Sequence, residues 1–145
     1  MHASHHERRD VTPHGTPAAA AIAEKLTGVK PDAGLVKKAV AGAMLAKLRN
    51  MGEACTAANR FLIHESVANE FAQKLTARFA ALKVARGVED GTNIGPVIDE
   101  KSRNSIHALV TDATSKGAKI LTGGVIPAGE GYFYPPTVLQ GVAAG

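Results

Sequence analysis

The sequence predicts an α/β domain with a mostly parallel sheet flanked by helices. Segments whose apolar residues recur at helical spacing alternate along the chain with short apolar runs of strand character. Such alternation favours a parallel sheet, because a helix between two strands returns the chain to the same edge of the sheet. Stretches rich in glycine, asparagine and proline separate these elements. With 145 residues, 45% of them hydrophobic, the chain has the material for one core.

The first helix is predicted to begin after Asp32, because a carboxylate at this position accepts a hydrogen bond from a free amide of the first turn. Its apolar residues follow at steps of three and four, which places them on one face: Val36, Val40, Ala43, Met44 and Leu48. Gly52 marks the expected end of this helix. The apolar run at residues 61–63 is then predicted to form a short buried strand.

The second helix is predicted to begin at Glu65. Its apolar residues form the clearest core-facing stripe of the chain, about 120° wide on a helical wheel: Val67, Phe71, Leu75, Phe79 and Leu82. The third helix is predicted to begin after Asp99 and to end at Gly117, and its apolar face carries Ile106, Leu109, Val110 and Ala113. Residues 118–121 and the proline-interrupted run 132–139 are predicted to be extended.

Charge and cysteine content exclude several classes of protein. The 17 lysines and arginines are spread along the chain, whereas a nucleic-acid-binding surface needs them clustered. No uninterrupted apolar stretch approaches the roughly 18 residues of a membrane span. The single cysteine cannot form an internal disulfide, and we expect the protein to reside in the reducing cytoplasm. Neither a nucleic acid nor a membrane is an expected partner.

Residues 1–30 differ from the rest of the chain in composition. Histidines at positions 2, 5, 6 and 14 stand among arginines and prolines, and an alanine run follows. This composition lacks an apolar period, which favours a flexible N-terminal arm ahead of a domain at residues 31–145. The histidines have no carboxylate or cysteine at the spacing of a structural metal site, so no metal is expected.

The glycine pair Gly123 and Gly124 follows a predicted strand, which is where a phosphate-binding loop would begin. The GxGxxG and GxxxxGK[ST] spacings of phosphate-binding loops are both absent from the chain. No nucleotide cofactor is therefore expected to bind this chain alone.

The only cysteine, Cys55, lies in the segment RNMGEACTAANR at residues 49–60. A thiol attacks as its thiolate, and a cysteine among small residues after a helix end leaves room for a substrate carbonyl. The alternative is a buried cysteine that acts as a small hydrophobic residue. Chemistry alone leaves both interpretations open.

The segment around Cys55 resembles the active-site segment of the aldehyde dehydrogenase superfamily. In that superfamily a glycine, a glutamine or glutamate, one variable residue and the nucleophilic cysteine follow one another, as residues 52–55 do here. Four further segments resemble the superfamily in the same order along the chain: ANRFLIHESV, NIGPVIDE, GAKILTGG and YFYPPTVL. The resemblance covers about residues 31–142 and is greatest to succinate-semialdehyde dehydrogenases.

The resemblance implies that the Cys55 thiolate attacks a small aldehyde substrate, that hydride passes to NAD or NADP, and that water hydrolyses the thioester. It also implies that Arg49, six positions before the cysteine, binds the distal carboxylate of the substrate through its forked guanidinium. The alternative for Arg49 is a cation that satisfies carbonyls at a helix C-terminus. Some relatives carry a second cysteine where this chain has Ala57, so no local disulfide switch is expected.

The sequence also departs from the superfamily. The upstream asparagine of the oxyanion hole and the general-base glutamate have no match, and neither does the cofactor domain that precedes this segment in relatives. We therefore expect residues 31–145 to be a truncated catalytic domain that is inactive alone. Two alternatives stay open. One is an interaction module that pairs with itself or with full-length subunits through exposed edges, and the other is a residual thiol esterase.

Overall fold

The computed structural model describes residues 32–143. Its helices and strands follow in this order: α1 (Ala33–Leu48), α2 (Glu65–Ala80), α3 (Glu100–Ser115), β1 (Lys119–Thr122) and β2 (Val138–Gln140). At Arg49 the backbone leaves the helical conformation, and residues 50–52 form a short turn with positive φ. Among these helices none has the length and apolar content needed to cross a membrane. The predicted arm and its histidines lie outside the described residues.

Each helix begins at a residue whose side chain accepts a hydrogen bond from a free amide of the first turn. Asp32 begins α1 and Asp99 begins α3, each with a donor-to-acceptor distance of 2.7 Å. Hydrogen bonds from the hydroxyl and the amide of Ser102 lower the pKa of the Asp99 carboxyl. His64 begins α2, because its Nδ1 accepts from the Ser66 amide at 3.2 Å. The predicted helix starts are thus confirmed.

Gly117 ends α3, as predicted. Its φ of 96° lies in the left-handed region, which glycine adopts without steric cost. The Gly117 amide donates to the Thr114 carbonyl, and the next amide, of Ala118, donates to the Ala113 carbonyl, each at 3.0 Å. These two bonds form a Schellman motif, which satisfies carbonyls that the helix leaves free.

The core lies between α1 and α2, and β2 packs against them. It consists of buried side chains from these three elements: Val36, Val40, Ala43, Met44, Phe71, Leu75, Phe79 and Val138. The predicted apolar faces of α1 and α2 are confirmed by this set. Fully burying one side chain of this kind stabilises a fold by about 1.5–3 kcal/mol. The α1–α2 pair is therefore the main apolar contact of the described residues.

Helix α3 is less deeply packed than the other two. Val110 is buried, but Leu109, predicted on the same apolar face, exposes 71% of its surface. His107 Nδ1 lies 3.2 Å from the hydroxyl of Tyr134, which belongs to the irregular segment before β2. This contact joins α3 to the chain that leads into the sheet.

The prediction of a mostly parallel sheet is wrong. Within residues 32–143, β1 and β2 form a two-stranded antiparallel sheet in which Ile120 lies opposite Leu139. The chain leaves β1 through two glycines with φ of 71° and 78°, and no helix lies between the strands. Antiparallel pairing follows, because the chain reverses direction through a loop. In this range a single isolated bridge, between Val84 and Ile94, is parallel.

The predicted strand at residues 61–63 is also wrong. The run pairs with no strand of the described chain, and Leu62 exposes 90% of its surface. Its neighbours Phe61 and Ile63 are half-buried and pack on the core. Exposure therefore alternates along residues 61–63, as in an extended chain with one face on the core and the other in solvent. The parallel-sheet prediction thereby loses one of the strands on which it depended.

Candidate active site

The segment that carries Cys55 begins with a left-handed turn at the end of α1. Asn50, Met51 and Gly52 have φ of 50°, 57° and 87°. Glycine adopts this region freely and asparagine tolerates it, but methionine there costs about 1–2 kcal/mol. Contacts elsewhere have to hold such a turn. One of them is the Gly95 amide, which donates to the Met51 sulfur at 3.1 Å.

Cys55 lies at the tip of this segment. The Ala57 amide donates to the Ala54 carbonyl at 2.8 Å, so Cys55 and Thr56 are the two central residues of a tight turn. Cys55 is exposed. This exposure does not agree with the interpretation of Cys55 as a buried hydrophobic residue, and the nucleophilic role of Cys55 stays a prediction.

The far end of the segment returns to the last turn of α1. The Ala58 amide donates to the Ala46 carbonyl at 3.1 Å. One residue further on, Lys47 Nζ donates to Asn59 Oδ1 at 2.5 Å. Residues 49–59 thus form a compact surface loop with both ends on α1, which we call the cysteine loop.

Arg49 is the residue at which α1 ends, and it is exposed. Its guanidinium makes no hydrogen bond or ion pair with another residue of the described range. The interpretation of Arg49 as a cation that satisfies helix carbonyls is therefore not seen.

A groove of about 700 Å³ lies between the cysteine loop, α3 and the segment before β2. Glu53 and Tyr134 contribute polar groups to it, and α3 contributes an apolar wall. Burial raises the pKa of Tyr134, while a hydrogen bond with Thr137 acts in the opposite direction. Cys55 and Arg49 line neither this groove nor a smaller cavity of about 210 Å³ beside α2. The structure places both predicted residues on exposed surface rather than together in a pocket.

Sequence reasoning missed Lys47 and Asn59. Lys47 looked like one more solvated lysine of the first helix, and Asn59 was only one letter of a matched segment. Their separation of 12 residues has no helical or strand period, because the contact forms only when the loop returns to α1. The available signal was position: Lys47 lies just before the cysteine segment, and Asn59 lies near its end.

Residues 32–143 lack the glycine-rich strand-to-helix turn that commonly holds a dinucleotide cofactor. Such a cofactor binds where a glycine-rich turn leads from a strand into the N-terminus of a helix. Here the glycine pair after β1 leads through irregular chain to β2. Within residues 32–143, no three histidine, cysteine, aspartate or glutamate side chains converge on a possible metal site.

We expect Gly52→Ala to lower the free energy of unfolding by about 1–2 kcal/mol, because φ there is 87° and an added Cβ would lie 3.2 Å from the Lys47 carbonyl oxygen. Gly42→Ala is the matched control. Gly42 lies inside α1 with no atom within 4 Å of an added Cβ, so we expect a gain of about 0.5–1 kcal/mol. Urea denaturation measures both changes. Equal stability of Gly52→Ala and the original chain would contradict the left-handed turn.

Known proteins resemble this chain in sequence and in fold. A succinate-semialdehyde dehydrogenase of Paenarthrobacter nicotinovorans is 57% identical over 105 residues, which are 72% of this chain and 23% of the relative. The crystal structure of succinate-semialdehyde dehydrogenase from Burkholderia pseudomallei matches with a TM-score of 0.72 and 43% identity, over 79% of this chain and 24% of that one. An NAD⁺ complex of aldehyde dehydrogenase from Bacillus cereus matches with a TM-score of 0.71 and 27% identity, over 79% and 23%.

The chain spans about a quarter of the length of these relatives. The sequence model of the aldehyde dehydrogenase family matches residues 23–145, a range that begins inside the segment set apart by its composition. The domain boundary at residue 31 stays a prediction. Because the match covers most of the chain and the same backbone recurs in the relatives, this chain belongs to the aldehyde dehydrogenase family.

Proposed function

We propose that this chain is the nucleophile-bearing part of an NAD(P)-dependent aldehyde dehydrogenase that oxidises succinate semialdehyde or a related short acid aldehyde. The exposure of Cys55 at the tip of the cysteine loop is the observation that carries the proposal. Two of the relatives described above are named for succinate semialdehyde. A sole cysteine that has to remain a thiol suits the reducing cytoplasm, which we propose as its compartment.

The step that these residues support is addition of the thiol to an aldehyde. The Cys55 thiolate forms a bond to the carbonyl carbon, and the carbonyl electron pair moves to the oxygen. That oxygen takes up a proton, which gives a neutral thiohemiacetal. The Cys55 amide donates to no acceptor within residues 32–143, so it is free to stabilise the developing negative charge.

Arg49 is the proposed carboxylate-binding residue. It is exposed, unpaired among the described residues, and six positions before the cysteine. A guanidinium binds a carboxylate through two parallel hydrogen bonds, which gives direction as well as attraction. An aldehyde with a distal carboxylate would then be held at both ends.

We expect succinate semialdehyde to protect Cys55 from iodoacetamide at a concentration roughly tenfold lower than butanal, because a charge-assisted contact contributes about that factor. Arg49→Met should abolish the difference, and Arg49→Lys should retain part of it. Arg60→Met is the control and should behave as the original chain. Labelling is followed by intact mass, which is unambiguous because Cys55 is the only cysteine.

The outcomes of this experiment test the role of Arg49 and the role of Cys55 separately. Equal protection by both aldehydes would remove the carboxylate role of Arg49. A thiol that neither aldehyde protects, or that reacts only in denaturant, would remove the nucleophilic role of Cys55.

We expect this chain alone to reduce neither NAD nor NADP with succinate semialdehyde above background. Positioning of reactants contributes roughly 7–11 kcal/mol to such reactions, and the described residues contain no glycine-rich strand-to-helix turn that would hold the nicotinamide cofactor in place. Absorbance of the reduced nicotinamide is the measurement, with Cys55→Ala as the control. Hydrolysis of p-nitrophenyl acetate is measured alongside, since a residual thiol esterase would show Cys55-dependent turnover there. Cys55-dependent reduction of either cofactor would contradict the proposal of an inactive partial domain.

The second candidate function is an interaction module that pairs through exposed surface. Several large apolar side chains of the described residues stand in solvent: Leu62 at 90%, Ile98 at 87%, Val88 at 84% and Leu45 at 74% exposure. Apolar surface of this kind favours association. A module of this class would bind a second copy of itself or a full-length family member without turnover.

We expect the purified chain to show a concentration-dependent molar mass in sedimentation equilibrium, because association buries these side chains. The double variant Leu62→Gln/Ile98→Gln should shift the dissociation constant upward by roughly tenfold or more, as expected when burial of two large apolar groups is lost. Thr111→Gln, at another exposed position, is the control. A single monomeric mass over the whole concentration range would contradict the interaction module.

A further inference from the structure

Two adjacent hydrogen bonds, one between backbone groups and one between side chains, close the cysteine loop on α1. The backbone bond between Ala46 and Ala58 fixes where the far end of the loop meets α1. The side-chain bond between Lys47 and Asn59, at 2.5 Å, lies one residue further along both partners. The Lys47–Asn59 bond is charge-assisted, and such bonds are shorter and stronger than neutral ones.

Lys47 also contacts the beginning of the loop. Its Cε lies 3.2 Å and its Nζ 3.4 Å from the place where a Cβ would stand on Gly52. The lysine side chain therefore covers the last residue of the left-handed turn while its ammonium reaches Asn59. One side chain thus joins three points: the last turn of α1, the turn that enters the loop, and the residue that leaves it.

The loop between these points has little else to hold it. Cys55 and Thr56 at its tip are exposed and do not pack on the core. The Met51–Gly95 contact restrains the left-handed turn but lies before Cys55. On the far side of Cys55 the loop is attached to α1 by the Ala46–Ala58 backbone bond and the Lys47–Asn59 side-chain bond. A thiol that has to meet a carbonyl carbon along a defined line needs both sides of its loop held, because small displacements of a reacting group slow a reaction strongly.

We propose that Lys47 is a positioning residue, which through its hydrogen bond to Asn59 and its contact with Gly52 fixes the place of the Cys55 thiol. That this placement favours addition of the Cys55 thiol to an aldehyde rests on the function proposed above. The ammonium acts through the loop and not on the substrate. Asn59 is its acceptor, and loss of either partner removes this hydrogen bond.

The test uses a nitroxide spin label attached to Cys55, the only cysteine of the chain. We expect Lys47→Met and Asn59→Ala each to raise the mobile fraction of the label by roughly twofold or more, because each removes the same bond. The double variant should be no more mobile than either single one. Lys47→Arg keeps a donor of similar reach and should restore most of the restraint. Lys37→Met, an exposed lysine of the same helix, should leave the label unchanged.

A second readout links the restraint to chemistry. Unlabelled Lys47→Met should need roughly fivefold more succinate semialdehyde for half-protection of Cys55, with the melting temperature changed by no more than about two degrees, because the bond is exposed. Unchanged label mobility in Lys47→Met, or failure of Lys47→Arg to restore it, would overturn the proposal. If the original chain shows no aldehyde protection, the proposed function fails, while the spin label still decides whether Lys47 holds the loop.

Discussion

The packing of α1 against α2 is the contact on which the rest of the described structure depends. Val40 and Met44 on one helix and Phe71 and Leu75 on the other are buried in a shared cluster. Because a helix is rigid, fixing its apolar face also fixes the direction of its last turn. That turn carries Ala46 and Lys47 and is followed by Arg49. The contacts that Ala46 and Lys47 make with the cysteine loop therefore depend on this core, whereas Gly95 holds Met51 from outside it.

The cysteine loop combines an unfavourable backbone with favourable attachments. A methionine with φ of 57° would not persist in an isolated peptide, where the right-handed region is open to it. Here the sulfur of that methionine accepts from Gly95, and the far end of the loop is bonded to α1. Local strain that the surrounding fold imposes is common at functional sites. The contacts at both ends of the loop explain how an exposed cysteine takes a defined position without being buried.

The sheet and α3 are arranged differently from the core. The two strands are short, antiparallel and joined by irregular chain, and α3 leaves Leu109 largely in solvent. A groove of about 700 Å³ opens between α3 and the cysteine loop. The chain spans about a quarter of the length of the family relatives described above.

Much of the local structure was determined by the sequence alone. The starts of the helices and the buried faces of α1 and α2 followed from spacing and capping residues, because these depend on neighbours within about one turn. The cysteine motif and its order with four other segments sufficed to predict the family. Tertiary structure alone decided the antiparallel pairing of Ile120 with Leu139, the exposure of Leu62 and of Cys55, and the bond between Lys47 and Asn59. Each of these depends on where distant parts of the chain meet, and neither helical nor strand periodicity carries that information.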